Sequence, residues 1–232
     1  MLILGIETAT KTGSVAIVGD EGVVAEYTLN IELTHSERLM STVERVMQDT
    51  RIDVASLDGF AVSIGPGSFT GLRIGLAAAK GLSLATNKPV IPVPTLKALA
   101  WNLPHAQHLI CPLLDAKKKE VYAAVYRFAE KELVQMLPET VCSLKELAVR
   151  IKDRTVFTGE GARLFQDEIR GLFGEWALFA PASAAVPSAA SVAELGLRLL
   201  AAGQPPDADG ITPLYIRRPE AEVAWEKRSR SK

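Results

Sequence analysis

Cysteine is nearly absent: Cys111 and Cys142 are the only two in 232 residues. Two thiols build no disulfide framework, and no CxxC pair exists for zinc or redox chemistry. Histidine is as scarce. His105 and His108 stand three apart after Pro104, whereas one helical face needs a spacing of four, and His35 opens a predicted helix, where capping or exposure accounts for it. Ser68 follows Pro66 and Gly67 as in a strand-to-helix elbow, but GxSxG is missing and no His–acid pair is placed to activate it, which argues against a serine hydrolase. No P-loop sequence is present. Charge of one sign is lacking too: 26 basic and 27 acidic side chains give −1, so RNA contact needs a local patch or a partner. No apolar run is long enough for a membrane. The opening MLILGIETAT has no basic n-region and reads as a first strand rather than a signal peptide, so a reduced, cytoplasmic protein is expected.

What is present is enough for a core. An apolar share of 48% excludes a disordered chain, and the length suits one large domain or two small ones. ILGIETA, SVAIV and VVAEYTL, separated by short polar and Gly-containing turns, predict an antiparallel meander. Thr34 with Glu37 forms a capping box for a helix whose Leu39, Met40, Val43, Val46 and Met47 make one apolar stripe. GFAVSI (59–64), a Gly-rich loop, a helix from about 69 to 85 and PVIPV (89–93) read as a parallel β-α-β unit, followed by a short helix from Thr95 to Trp101. From His108 the order repeats: HLICPLLDA, EVYAAVYRFA, a strand near LVQMLPET, the helix SLKELAVRI, TVFTGEGA and the helix LFQDEIRGLF. A duplicated α/β fold with a shorter second copy is expected, then a helix SVAELGLRLLAAG and a basic tail.

The loop Gly65-Pro66-Gly67-Ser68-Phe69-Thr70-Gly71 admits two readings. It is either a tight turn capped by Ser68 or an anion site made from Gly65 and Gly67 amides at a helix start. In the helix that follows, Leu72, Ile74, Leu76, Leu82 and Leu84 lie on several sides, while Gly71, Gly75 and Ala79 form a small-residue strip at i, i+4, i+8. That strip admits close approach by another helix, of this chain or another. Glu7, beside Thr8 and Thr10, and Asp115, followed by three lysines, both end apolar strands. In a duplicated fold the two carboxylates could face a common cleft and hold Mg²⁺ through water, with Thr8 and Thr10 near phosphate; Lys117 to Lys119 are equally read as a solvated turn.

The segments LGIETAT…SVAIV, THSERLM, SIGPGSFTGLRIGLAAAKGL, PVIPVPTL, LLDAKKKEVYAAVY, TGEGA and PLYIRRPEAE follow one another in the order found in the bacterial TsaB (YeaZ) family. The resemblance covers nearly the whole chain. It implies an α/β fold with two ribonuclease-H-like lobes of the actin, sugar-kinase and Hsp70 superfamily, the second reduced, divided here as 1–104 and 105–232. The implied role is as a non-catalytic scaffold of the complex that puts a threonylcarbamoyl group on the adenosine beside the anticodon of tRNAs reading codons that start with A. In that scheme TsaD holds the metal and transfers the group, TsaE is an ATPase, and tRNA is met through the complex. The resemblance implies no definite cofactor for this chain itself, with ATP and a metal ion used by the complex through the partner subunits.

The TsaD relatives carry HxxxH just after the strand corresponding to PVIPV, where this chain has Thr95 and Leu99, neither able to replace imidazole at a transition metal. The resemblance also implies that the two singled-out helices dock TsaD as a four-helix bundle, or a second copy of the chain. The expected interface is Leu39, Val43, Val46, Gly71, Leu72, Gly75 and Ala79, so that Gly75→Leu should leave the monomer folded but block TsaD. Residual nucleotide or anion contact falls to Thr8, Thr10, Gly65, Gly67, Ser68 and Asp115, and weak tRNA attraction to Lys227, Arg228, Arg230 and Lys232. Rival readings are a glycoprotease-like metallopeptidase and an ATP-binding, kinase-like protein.

Overall fold

Alternation along the first strand decides the layering. In β1 (Leu2–Glu7), Leu4 and Ile6 point into one apolar layer, while Ile3 points into another. A strand buried on both faces needs a cover on each side of its sheet. The computed structural model describes residues 1–31, 34–203 and 210–217. Its first sheet runs β3-β2-β1-β4-β5, with β2 (Gly13–Gly19), β3 (Gly22–Leu29), β4 (Gly59–Gly65) and β5 (Val90–Pro94). The meander β1-β2-β3 is antiparallel, and β4 and β5 add in parallel beside β1.

The second sheet repeats this arrangement strand for strand. Its order is β10-β9-β6-β7-β8, with β6 (Leu109–Asp115), β7 (Val121–Ala129) and β8 (Glu132–Cys142) as an antiparallel meander. β9 (Thr155–Thr158) and the three-residue β10 (Ala177–Phe179) add in parallel beside β6. The duplication expected from the sequence is therefore complete, and the reduction falls on the two parallel strands, four and three residues long against seven and five in the first sheet.

Seven α-helices are seen among the described residues. α1 (His35–Thr50) and α2 (Phe69–Thr86) cover one face of the first sheet through Leu39, Val43, Val46, Leu76 and Ala79. α4 (Leu144–Arg150), α5 (Glu160–Leu164) and α6 (Gln166–Phe173) cover the equivalent face of the second. The predicted helix 164–173 is thus two pieces, broken at Phe165, whose φ of −110° and ψ of 26° leave the helical region.

The remaining faces are covered by exchange. α3 (Thr95–Trp101) follows the first sheet but packs on the second, with Leu96, Leu99 and Ala100 against Ile110, Leu114 and Tyr126. α7 (Ala189–Ala201) follows the second sheet and returns to the first, where Ala189, Val192 and Ala193 meet Ile3, Ala16 and Ala61. Gly5 lets it come close: a Cβ there would stand 2.2 Å from Ala189 O. The division at 104/105 is corrected accordingly, because α7 and Ile211 belong to the first lobe's cores, while α3 is shared, with Ala98 in the first lobe's core and Leu96, Leu99 and Ala100 in the second's. The exchanged helices meet between the lobes, where Trp101 Nε1 donates to Glu194 at 2.6 Å. Asn102 Nδ2 donates to Val186 O at 2.8 Å and its Oδ1 accepts from Ser191 at 2.6 Å, which fixes the returning chain.

Candidate functional site

Two places gather the residues singled out by sequence: the loop 65–71 with the α1–α2 pair, and the cleft between the lobes.

Three of the loop amides already have partners. Ser68 N donates to Ala9 O at 2.6 Å, Gly71 N to Ser68 Oγ at 3.2 Å and Gly65 N to Thr95 Oγ1 at 3.1 Å. A Cβ on Gly67 would lie 2.4 Å from Ala9 O, and Gly65 adopts φ of +117°. Both glycines therefore serve close packing and a turn. Thr8 is buried with its hydroxyl donating to Gly71 O at 2.8 Å. Thr8, Gly65, Gly67 and Ser68, expected as anion contacts, are engaged in sealing β1, β4 and α2 against each other, and Ser68 caps α2.

The expected interface residues are used in the same way. Leu39, Val43, Val46, Leu72 and Ala79 are buried within the chain, as are Gly71 and Gly75. A Cβ on Gly71 would lie 2.0 Å from Thr8 O, and one on Gly75 would lie 2.3 Å from Thr8 Oγ1. The small strip thus admits the end of β1, so Gly75→Leu is expected to disturb the fold of the monomer itself. The outward face of α2 is a different stripe: Thr70, Arg73, Ala77, Gly81 and Leu84 are exposed, Leu84 at 89%. On α1, Met40 is 51% exposed. A Cβ added at Gly81 meets nothing within 4 Å.

His35, at the start of α1, is half-buried and holds the β1–β2 turn. Its Nε2 lies 2.7 Å from Thr10 O, and Arg38 Nη2 lies 3.2 Å from its Nδ1 and donates to Lys11 O at 2.9 Å. Arg38 takes Nδ1 as an acceptor, which leaves Nε2–H to donate to Thr10. Burial, joined by the nearby Arg38 charge, lowers the His35 pKa against the opposing Thr10 bond. The imidazole is a neutral structural donor.

The cleft is a cavity of about 400 Å³ whose walls include Thr10, Lys11, Asp115, Lys117, Glu160 and Arg163. Of the expected contacts, Thr10 and Asp115 reach it; Lys11, Glu160 and Arg163 were not singled out from the sequence, where isolated charges carry no periodic signal. Burial pushes the Asp115 carboxyl up, but Lys117 outweighs it and holds the group below its ordinary range, with Nζ at 2.7 Å. Glu160 is pushed up by burial and by Asp115. Glu7 does not share this cleft. It is fully buried, with Oε1 accepting from Ala9 N at 2.5 Å. Between its other oxygen and the Ser63 hydroxyl there is no hydrogen bond of good geometry, though the hydroxyl is near enough to act against the burial. Burial raises the Glu7 pKa to about 7. The facing-carboxylate arrangement for Mg²⁺ is corrected. Among the described residues, no three His, Cys, Asp or Glu side chains gather as a metal site.

A protein from Bacillus subtilis named tRNA threonylcarbamoyladenosine biosynthesis protein TsaB is 32% identical over 97% of this chain and 98% of its own. The chain belongs to the TsaB family. The family model described as TsaD, tRNA N6-adenosine threonylcarbamoyltransferase, matches residues 16–225. A solved Pseudomonas aeruginosa protein described as similar to peptidase YeaZ superposes with a TM-score of 0.80, at 25% identity, covering 93% of this chain and 99% of that one. The ROK hexokinase of Thermus thermophilus shares the two-lobed fold at a TM-score of 0.50 and 12% identity, over 85% of this chain and 99% of that one. The actin-like, sugar-kinase-like class expected for a TsaB chain is therefore its fold. Thr95 and Leu99, the positions at which the sequence resemblance leads one to expect the imidazoles of TsaD relatives, are fully buried: Thr95 Oγ1 accepts from Gly65 N, and Leu99 lies in the second lobe's core. Among the described residues, no helix is long and apolar enough to cross a membrane. The basic tail, Lys227 to Lys232, lies outside the described residues.

Proposed function

We propose that this TsaB-family chain is the scaffold subunit of the complex that transfers a threonylcarbamoyl group to the adenosine beside the anticodon. In this reading it binds a TsaD partner, with TsaE joining, and meets tRNA through the assembly. The observation that carries it is the pairing of family membership with the fate of Thr95 and Leu99. Where the catalytic relatives place imidazoles, this chain places a turn-holding hydroxyl and a core leucine. Rebuilding a metal site there would cost both contacts. The metallopeptidase alternative rests on those same imidazoles. The kinase alternative draws on TGEGA, whose glycines serve packing: a Cβ on Gly159 would lie 2.3 Å from Leu113 O.

The docking face in this reading is the outward stripe of α2, with Met40 of α1 beside it. Ala77, Gly81 and Leu84 give a helix partner a shallow apolar track, and the open space over Gly81 lets backbones approach. The same face serves a homodimer when the partner is missing. Gly81→Arg tests it: the variant folds with an unchanged thermal midpoint, yet fails to capture TsaD from the native cytosol. A variant that captures TsaD as well as the parent chain rules out this face.

A further inference from the structure

One cation on the outward stripe of α2 is held in place and left open. Arg73 is exposed, one turn along from Phe69, the first residue of the helix. Its guanidinium carbon lies 3.8 Å from the centroid of the Phe69 ring. Its Nε donates to the Tyr215 hydroxyl at 2.9 Å, and the Tyr215 ring stacks on Phe69 with centroids 4.9 Å apart. Tyr215 is fixed in turn. The preceding Leu214 N donates to Ile64 O at 2.7 Å in β4, and Ile211 is buried in the first lobe's core. A ring, a hydroxyl and a returning segment together orient one exposed side chain.

What this guanidinium lacks is a counter-charge. Among the described residues, no carboxylate forms an ion pair with Arg73 and no hydrogen bond engages its Nη1 or Nη2. The first turn of α2 carries no acid. A cation near a helix N-terminus gains nothing from the helix dipole, so α2 itself does not explain the placement. Stacking and the Nε bond fix the plane of the fork, and its two Nη groups form an edge that takes a carboxylate through two parallel bonds.

The geometry points to Arg73 as the charged anchor of the α2 docking track, its fork receiving a carboxylate carried by an apolar helix of the partner, with Phe69 and Tyr215 as positioning residues. This rests on the reading of the stripe as the TsaD-docking face and adds the partner's chemistry to it. The neighbours along the stripe select the occupant. Ala77, Gly81 and Leu84 are uncharged and exposed, as is Met40 of α1. A phosphate backbone calls for several cations in a row, whereas an apolar helix with one acid calls for one. An arginine set beside apolar surface is also the kind of residue on which binding energy concentrates.

Binding of the full chain to purified TsaD, at low and high salt, tests the anchor. Arg73→Ala weakens binding about thirtyfold and flattens its salt dependence. Its thermal midpoint stays within about 4 °C of the parent's. Arg73→Lys, which keeps the charge without the planar fork, remains about tenfold weaker than the parent. Tyr215→Phe keeps the stack, loses the Nε bond and weakens binding about fivefold; on an Arg73→Ala background it has no further effect. Arg73→Ala binding TsaD as tightly as the parent overturns the anchor. Should that variant instead lower only the tRNA affinity of the assembled complex, the fork is a phosphate site; should it lose only self-association, the fork belongs to a second copy. Either result overturns the proposal. Gly81→Arg, measured beside it, separates the two readings. If Gly81→Arg abolishes binding while Arg73→Ala does not, the face stands and the anchor falls; if both bind as the parent does, the face falls too.

Discussion

The Thr8 hydroxyl donates to the Gly71 carbonyl at 2.8 Å, and that bond explains which way the small-residue strip of α2 faces. Gly71 and Gly75 sit over the end of β1, where any side chain would collide with Thr8. Gly75→Leu is therefore expected to destabilise the fold by about 3 kcal/mol or more, as an overpacked core site does. Gly81→Leu, six residues further along the helix with open space around it, is expected to stabilise by roughly 0.5–1 kcal/mol, because a mid-helix glycine is replaced by a good helix former. Urea unfolding of the two variants side by side checks the contrast.

Glu7 supplies a pH signature. Its carboxyl titrates near 7 in the folded chain, above an ordinary value of 4.5, because burial disfavours the charge. The folded state therefore holds a proton that the unfolded state has released, and stability falls as pH rises through the window from about 4.5 to about 7. Glu7→Gln, always neutral, removes this dependence. Relative to the parent, the variant gains on the order of 3 kcal/mol between acid and alkaline ends of that window. His35, whose pKa is lowered by burial, acts in the opposite sense as pH falls, but both chains share it and the difference cancels it. Unfolding free energies at several pH values measure the gap.

The turn between β6 and β7 offers a stabilising substitution. Lys119 is exposed with φ of 62°, a conformation that costs a side-chain-bearing residue roughly 1–2 kcal/mol and glycine little. Lys119→Gly is expected to raise stability by up to about 1 kcal/mol after glycine's greater unfolded-state entropy is subtracted. A thermal melt reads the sign.

The cysteines should be silent in the native protein. Cys111 is fully buried and burial pushes its thiol well up, with Cys142 adding to the effect; Cys142 is buried and raised as well. A thiol reagent at pH 8 should label neither until denaturant is added. Prompt labelling of the folded chain would contradict the packing around β6.

The duplicated order was legible because strand, Gly-containing loop and helix occur twice with the same spacing rules. The exchange of α3 and α7 was not. Both helices are apolar on the faces they bury, and nothing local tells which sheet receives them. Thr34 illustrates a readable detail: its amide donates to Glu37 at 2.8 Å, the capping box expected from their spacing. Gly71, Gly75 and Ala79 illustrate the opposite case, since small residues announce a close neighbour without naming it. Met40 and Leu84 read among the apolar residues of their helices, and only the packing shows that both face outward. Glu7 misled for a related reason: a carboxylate ending a strand reads as available, and only the register of β1 beside β4 puts it in the interior.

The central claim is that this chain supports the transfer to tRNA without performing it. The most direct measurement is threonylcarbamoylation of unmodified tRNA by purified components, with this chain alone, with TsaD and TsaE alone, and with all three. The account predicts product only when TsaD is present, rising when this chain is added. Product formed by this chain alone, free of TsaD, would contradict it.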